Sequence, residues 1–110
     1  MELSHDAADV RALYLGATAL AGLGAKARAA EWIDRARAMA PDDPVVLEYA
    51  AVVHARSGRN AAAVGCLEQA IALGYRDRRW IAAEPDFAPL HADACFRAIL
   101  RAPRCRKARA

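Results

Sequence analysis

Aromatic side chains are scarce in this 110-residue chain: two tryptophans, three tyrosines and two phenylalanines, 6% of the residues. Alanine supplies much of the 56% hydrophobic content. It favours helix and fills little volume, so closely packed helices fit this composition and a β-sandwich does not. No apolar run approaches the ~18–20 residues of a membrane span. The N-terminus, Met1-Glu2-Leu3-Ser4-His5-Asp6, lacks the basic and apolar regions of a signal peptide. Cysteine is sparse: Cys66, Cys95 and Cys105, an odd set without CxxC spacing. That set argues against a disulfide framework or a zinc site, and for a reducing, cytoplasmic home.

Catalytic and cofactor patterns are missing too. His5, His54 and His91 stand 49 and 37 positions apart, so none forms the i, i+4 pair of a helical metal site. His54 is expected to pack in the core with one hydrogen bond. Gly22 and Gly24 close a helix rather than follow a strand, which rules out a phosphate loop. Cys66 falls on the expected buried face of a helix, where a thiol behaves as a small hydrophobe. Glu84 and Asp86 flank Pro85 in a turn and read as solvated carboxylates. No enzyme activity, metal or cofactor is expected.

Net charge is +3, and much of the excess lies in the tail Arg101-Ala-Pro-Arg104-Cys-Arg106-Lys107-Ala-Arg109. The body is therefore near neutral and the tail, without core-forming residues, is expected to be disordered over 102–110. Arg76, Arg78, Arg79 and the tail suit a polyanion electrostatically. No aromatics interleave with the tail arginines, so base stacking is unsupported and nucleic acid is not the expected partner. A solvated basic face is the simpler reading.

What the chain does have is a repeat. Gly24 and Gly58 stand 34 positions apart, as do Ala17 and Ala51, Ala29 and Ala63, and Ala36 and Ala70. Leu13 with Leu47, Ile33 with Leu67, and Met39 with Leu73 keep the same register. Small residues let helices approach and large ones fill the holes between them, so one order used twice implies one packing geometry used twice. A period of this length points to stacked helix–turn–helix units, which make binding surfaces.

The local signals place the helices. The first starts after Ser4 or Asp6 and ends near Ala21, with Gly22-Leu23-Gly24 behind it. The second covers about 25–39 and is broken by Pro41-Asp42-Asp43-Pro44. Asp43 caps a third helix over 44–56, with Pro44 at its first position. Ser57-Gly58 stops it, and Asn60 caps a fourth that ends near Leu73 with Gly74 behind. A short helix capped by Asp77 follows, then a turn or 3₁₀ segment from Glu84 to Leu90, forced by two prolines four apart. A last helix runs from Ala92 to about Arg101.

These residues resemble the tetratricopeptide repeat family. In the first unit the matching positions are Leu13, Ala17, Leu20, Gly24, Ala29, Ile33, Ala36 and Pro41. In the second they are Leu47, Ala51, His54, Gly58, Ala63, Leu67 and Ala70. The family's usual tryptophan, leucine-glycine pair and tyrosine in the first helix of a unit are absent, and Tyr75 stands where the second proline would be. The remainder, from Leu73 through Trp80 and Phe87 to Leu100, resembles the segment that closes such repeats in many bacterial regulatory and scaffold proteins.

The resemblance implies an all-α fold of stacked antiparallel helix pairs in a right-handed superhelix. It implies one domain over 5–101, with repeats at about 10–43 and 44–77 and a cap at about 76–101. Trp80, Phe87, Leu90, Phe96 and Leu100 would cover the open end of the third and fourth helices. The implied function is non-catalytic binding of a protein or peptide in a concave groove. The groove positions would be Arg11, Tyr14, Leu15 and Thr18 in the first unit, and Glu48, Tyr49, Val52 and Arg56 in the second. They lack the lysine and asparagine pairs with which some members clamp a C-terminal carboxylate. The alternative is a structural module that caps and solubilises a larger regulatory protein. Two units are few for a stable stack, so a homodimer or a longer array is also implied.

Overall fold

The computed structural model describes residues 7–75 and 77–101. Among them are six α-helices, one 3₁₀ segment and no strand. The helices are α1 (Ala7–Gly22), α2 (Lys26–Met39), α3 (Pro44–Arg56), α4 (Asn60–Ala72), α5 (Arg78–Ala83) and α6 (Ala94–Arg101), with the 3₁₀ segment at Pro85–Ala92 between α5 and α6. None of the described helices is long and apolar enough to cross a membrane. The expected caps at Ser4 and Asp6, and the tail 102–110, lie outside the described residues.

Three helix ends are built alike. Gly24 and Gly58 hold φ of 87° and 80°, and Gly74 holds 110°. Each glycine N–H returns to a carbonyl three residues back: Gly24 to Ala21, Gly58 to Ala55, Gly74 to Ile71. The next N–H reaches five back: Ala25 to Leu20, Arg59 to His54, Tyr75 to Ala70. This paired closure of the last turn needs a left-handed residue, and glycine takes that conformation without Cβ strain. It also corrects one boundary. Arg59, whose N–H is held by His54 at 2.8 Å, is the cap residue of α4, and its carbonyl accepts from Ala63. Asn60 is therefore the first helical residue and not the cap.

Acidic side chains start α3, α5 and α6, whereas α2 follows Ala25 with no side-chain cap. Asp43 accepts from the Val45 N–H at 2.9 Å ahead of α3, and Asp77 from the Trp80 N–H at 3.0 Å ahead of α5. Asp93 accepts from both Cys95 and Phe96, at 2.7 and 3.1 Å. That cap starts α6 at Ala94, two residues later than the expected Ala92.

Connections of three and four residues make successive helices antiparallel neighbours. α1 packs on α2, α3 on α4, and α3 also against α1, α2 and the 3₁₀ segment. Within each pair the crossing positions are small and sealed: Ala17, Ala29 and Ala36 in the first, Ala51, Ala63 and Ala70 in the second, all at 0% exposure. Ile33 and Leu67 fill the spaces between them. Leu47 is buried, whereas Leu13 and Leu20 are half-buried.

The C-terminal segment extends the apolar core formed by the first four helices. Ile81, Phe87, Leu90, Phe96 and Ile99 are fully buried. Phe87 meets Trp80 and Phe96 edge to face, with ring centroids 5.9 and 6.0 Å apart. The 3₁₀ segment rests on α3 and α4, and α6 rests on α4 and α5. Trp80 and Leu100 are half-buried. Arg78 ties the segment's two ends, its Nε donating to the Ile99 carbonyl at 3.0 Å.

Cysteine chemistry differs from the expectation. Cys66 is free and buried, and burial pushes its thiol pKa up. Cys95 is disulfide-bonded. An odd count of three leaves room for one bridge, so the step from sparse cysteine to a reducing compartment loses its support.

Candidate partner-binding face

α1 and α3 lie side by side, and Tyr14 and Tyr49 meet between them. Their rings stack with centroids 4.4 Å apart and planes 20° from parallel. Both side chains are half-buried, so the stack is rooted in the helices while part of it faces water. Leu15, at 45% exposure, and Arg11 are on the open surface of α1. The Arg11 charge is felt at Tyr49, where it partly opposes the upward shift that burial and the Glu48 charge impose on the phenol.

Glu48 precedes Tyr49 and is half-buried. Burial raises its carboxyl pKa, a hydrogen bond with the Tyr75 side chain pulls it back, and the Asp77 and Glu84 charges raise it further. Tyr75 is pushed up in turn, by burial and by the Glu48 carboxylate beside it. Burial also raises Glu84, whose carboxylate accepts from the Asp86 N–H at 3.2 Å. The face therefore carries an aromatic pair with carboxylates on the side of the C-terminal segment.

Three of the expected groove residues have other work. Val52 is 4% exposed. α3 is packed by α1, α2, α4 and the 3₁₀ segment, which leaves Val52 no open surface, so it is a core residue and not a groove residue. Thr18 donates its hydroxyl to the Tyr14 carbonyl of its own helix at 2.8 Å. Arg56 is a tie and not a free anchor. Its Nε donates to Asp86 Oδ2 at 2.8 Å and its Nη1 to the Thr18 carbonyl at 2.8 Å. A guanidinium near the C-terminal end of α1 is favoured by the helix dipole. A Cβ at Gly22 would sit 3.2 Å from that Nη1, so the glycine gives the guanidinium room.

Asp86, read from the sequence as a solvated carboxylate, is thus the ion-pair partner of a residue 30 positions earlier. Tyr75 and Glu84 were also missed as members of the face. Tyr75 stood out only as a departure from a proline position, and nothing local marks Glu84. His54 is 8% exposed, and its Nδ1 has no hydrogen-bond partner; the Ser57 Oγ is buried and unpartnered as well. Burial, with the nearby Arg59 and Arg37 charges, lowers the His54 pKa. Among the described residues no group of three His, Cys, Asp or Glu side chains is arranged to hold a metal ion.

Comparison with protein families, with curated proteins and with solved structures finds no match for this chain.

Proposed function

We propose that the chain is a non-catalytic helical-repeat module of the tetratricopeptide type, which binds a peptide or helix across α1 and α3. The observation that carries this reading is the Tyr14–Tyr49 stack, half in the core and half in water, with Glu48 and Leu15 beside it. Rigid aromatic groups that present large area at little entropic cost commonly dominate protein interfaces. The 34-residue register, the matched glycine closures at Gly24 and Gly58 and the matched alanine crossings support the repeat assignment. Arg11, Tyr14, Leu15, Glu48 and Tyr49 remain the contact set, with Tyr75 added.

A displayed library of random peptides, selected against the full chain, tests this. Tyr14→Ala and Tyr49→Ala should each weaken the selected peptides by about 2 kcal/mol, roughly 30-fold. Removal of residues 102–110 should leave their affinity unchanged. Peptides that bind the tyrosine variants equally well, or that need the tail and dissociate steeply with salt, would place the function elsewhere.

One observation favours a second reading, a structural module that closes a larger protein without a groove ligand. Arg56 and Asp86 tie the 3₁₀ segment across the same side of α3, so part of that side is taken up internally. A selection that enriches no peptide would make this the better reading.

A further inference from the structure

The cysteines of this chain are not equivalent. Cys66 is free and 4% exposed on α4. Cys95, the second residue of α6, is half-buried and disulfide-bonded. Cys105 lies outside the described residues, and with Cys66 free it is the one thiol of the chain left to pair with Cys95. The sequence around the pair sets how such a bridge can form. An unbroken helix from Cys95 to Cys105 would hold them ~15 Å apart, well beyond the Cα separation of less than ~7 Å that a disulfide needs. α6 ends at Arg101, and Pro103 is a poor residue to extend it. From Arg101 back to Cys95 is about 9 Å along the helix, and the residues 102–105 reach up to ~13 Å. The bridge therefore requires the chain to reverse just past α6 and return along it.

α6 does not depend on the bridge for its place. Phe96 and Ile99 are fully buried. Asp93 caps the first turn through the Cys95 and Phe96 N–H groups, Arg78 holds the Ile99 carbonyl, and Arg97 donates to the His91 carbonyl at 3.0 Å. What the bridge fixes is the segment behind the helix. That segment carries Arg104, Arg106, Lys107 and Arg109 and no acidic residue. The ring from 95 to 105 holds Arg97, Arg101 and Arg104 and no carboxylate side chain, so no ion pair within it keeps it closed once the bond is cut.

We propose that Cys95 and Cys105 form a redox-sensitive clip, which folds the basic segment 102–110 back on α6 when oxidised and releases it when reduced. The reductant is a low-molecular-weight thiol. One of its thiolates attacks a sulfur of the bridge and forms a mixed disulfide; a second displaces the protein sulfur. Two electrons pass to Cys95 and Cys105, each of which takes up a proton, and the reductant leaves as its own disulfide. The half-buried position of Cys95 leaves the bridge within reach of a small thiol. Burial raises the Cys66 thiol pKa and keeps that cysteine out of the exchange. Among the described elements α6 packs on α4, α5 and the 3₁₀ segment and not on α1 or α3, so the clip is independent of the tyrosine face.

The test uses the full chain purified without reductant. With free thiols blocked, a tryptic digest should contain the peptide 80–97 joined to Cys105-Arg106 through a bond that reduction cleaves. Glutathione at a series of thiol-to-disulfide ratios should then move the chain between two states, which alkylation traps. Brief trypsin treatment of each folded state, with complete reduction before analysis, should show cutting after Arg101 and Arg104 severalfold faster in the reduced chain. Cys105→Ser should be cut at the faster rate at every glutathione ratio, and the reduced chain should still melt in one cooperative transition. A Cys95 recovered as a blocked thiol, or joined to Cys105 of a second copy in a covalent dimer, would overturn the pairing. Equal cutting in both states would overturn the release. Loss of cooperative melting on reduction would make the bridge a structural staple and refute the switch.

Discussion

Gly16 and Gly65 are both helix-interior glycines, and their surroundings set opposite expectations for alanine. Nothing lies within 4 Å of a Cβ at Gly65, whereas one at Gly16 would strike the Trp32 ring. Gly65→Ala should therefore gain the ordinary helix increment of about 0.5–1 kcal/mol, a rise of a few degrees in melting temperature. Gly16→Ala should gain nothing net and should alter Trp32 emission as the ring is displaced. Equal stabilisation with unchanged emission would mean that the ring does not rest on Gly16. His54 gives a pH signature. Its folded pKa lies below the ordinary 6.5, so the unfolded chain takes up a proton first as the solution is acidified. Its contribution to stability is thus complete above about pH 6.5 and is lost as the pH falls below it. Glu48 and Glu84 have raised pKa values and act with the opposite sign, costing stability when ionised. Leu20 holds the position equivalent to His54, so His54→Leu should fit the site. Urea unfolding at pH 7.5 and 5.5 should show a smaller acid-induced loss in His54→Leu than in the wild type; equal losses would assign the effect to other groups.

At the level of elements, legibility followed the range of the interaction. Asp43-Pro44, Asp77 and the glycines at 24 and 58 could be read directly, because a cap or a left-handed turn involves residues within five positions of each other. The fourth helix was misplaced by one residue for the same kind of reason. The turn closed at Gly58 fixes Arg59 as the cap, and the favourable capping chemistry of asparagine lost to that geometry. Tyr14 and Tyr49 were named as groove candidates only through the family resemblance, and their stacking was not foreseen. The surroundings of Val52 and Arg56 are decided by α1 and by the later 3₁₀ segment, and those of Asp86 by Arg56, 30 positions earlier; no spacing in the sequence announces these meetings. Arg56 holds that segment with an ion pair whose side chains are 31% and 24% exposed. Pairs this accessible couple by about 0.2–1 kcal/mol. An Arg56→Ala/Asp86→Ala double-mutant cycle in urea should return a coupling in that range. Arg56→Ala should cost more than Asp86→Ala, because it also loses the bond to the Thr18 carbonyl. Equal costs would show that the tie to α1 contributes nothing.

On the scale of the whole molecule, the proposed repeat reading rests on one condition: that the two hairpins are copies of one packing unit. Alanines 34 positions apart are sealed in both hairpins, and glycines 34 positions apart end the first helix of each. The C-terminal segment covers the far end of the second unit, with Phe87 and Phe96 fully buried. The condition can be tested where the two units are most alike. Ala29 and Ala63 are both at 0% exposure, so a leucine at either must overpack the crossing of its hairpin at a cost of about 1–3 kcal/mol. The decisive measurement is the urea unfolding midpoint of Ala29→Leu and of Ala63→Leu beside the parent. Equivalent hairpins predict a clear and comparable fall in both; a midpoint unchanged in both would contradict the shared register.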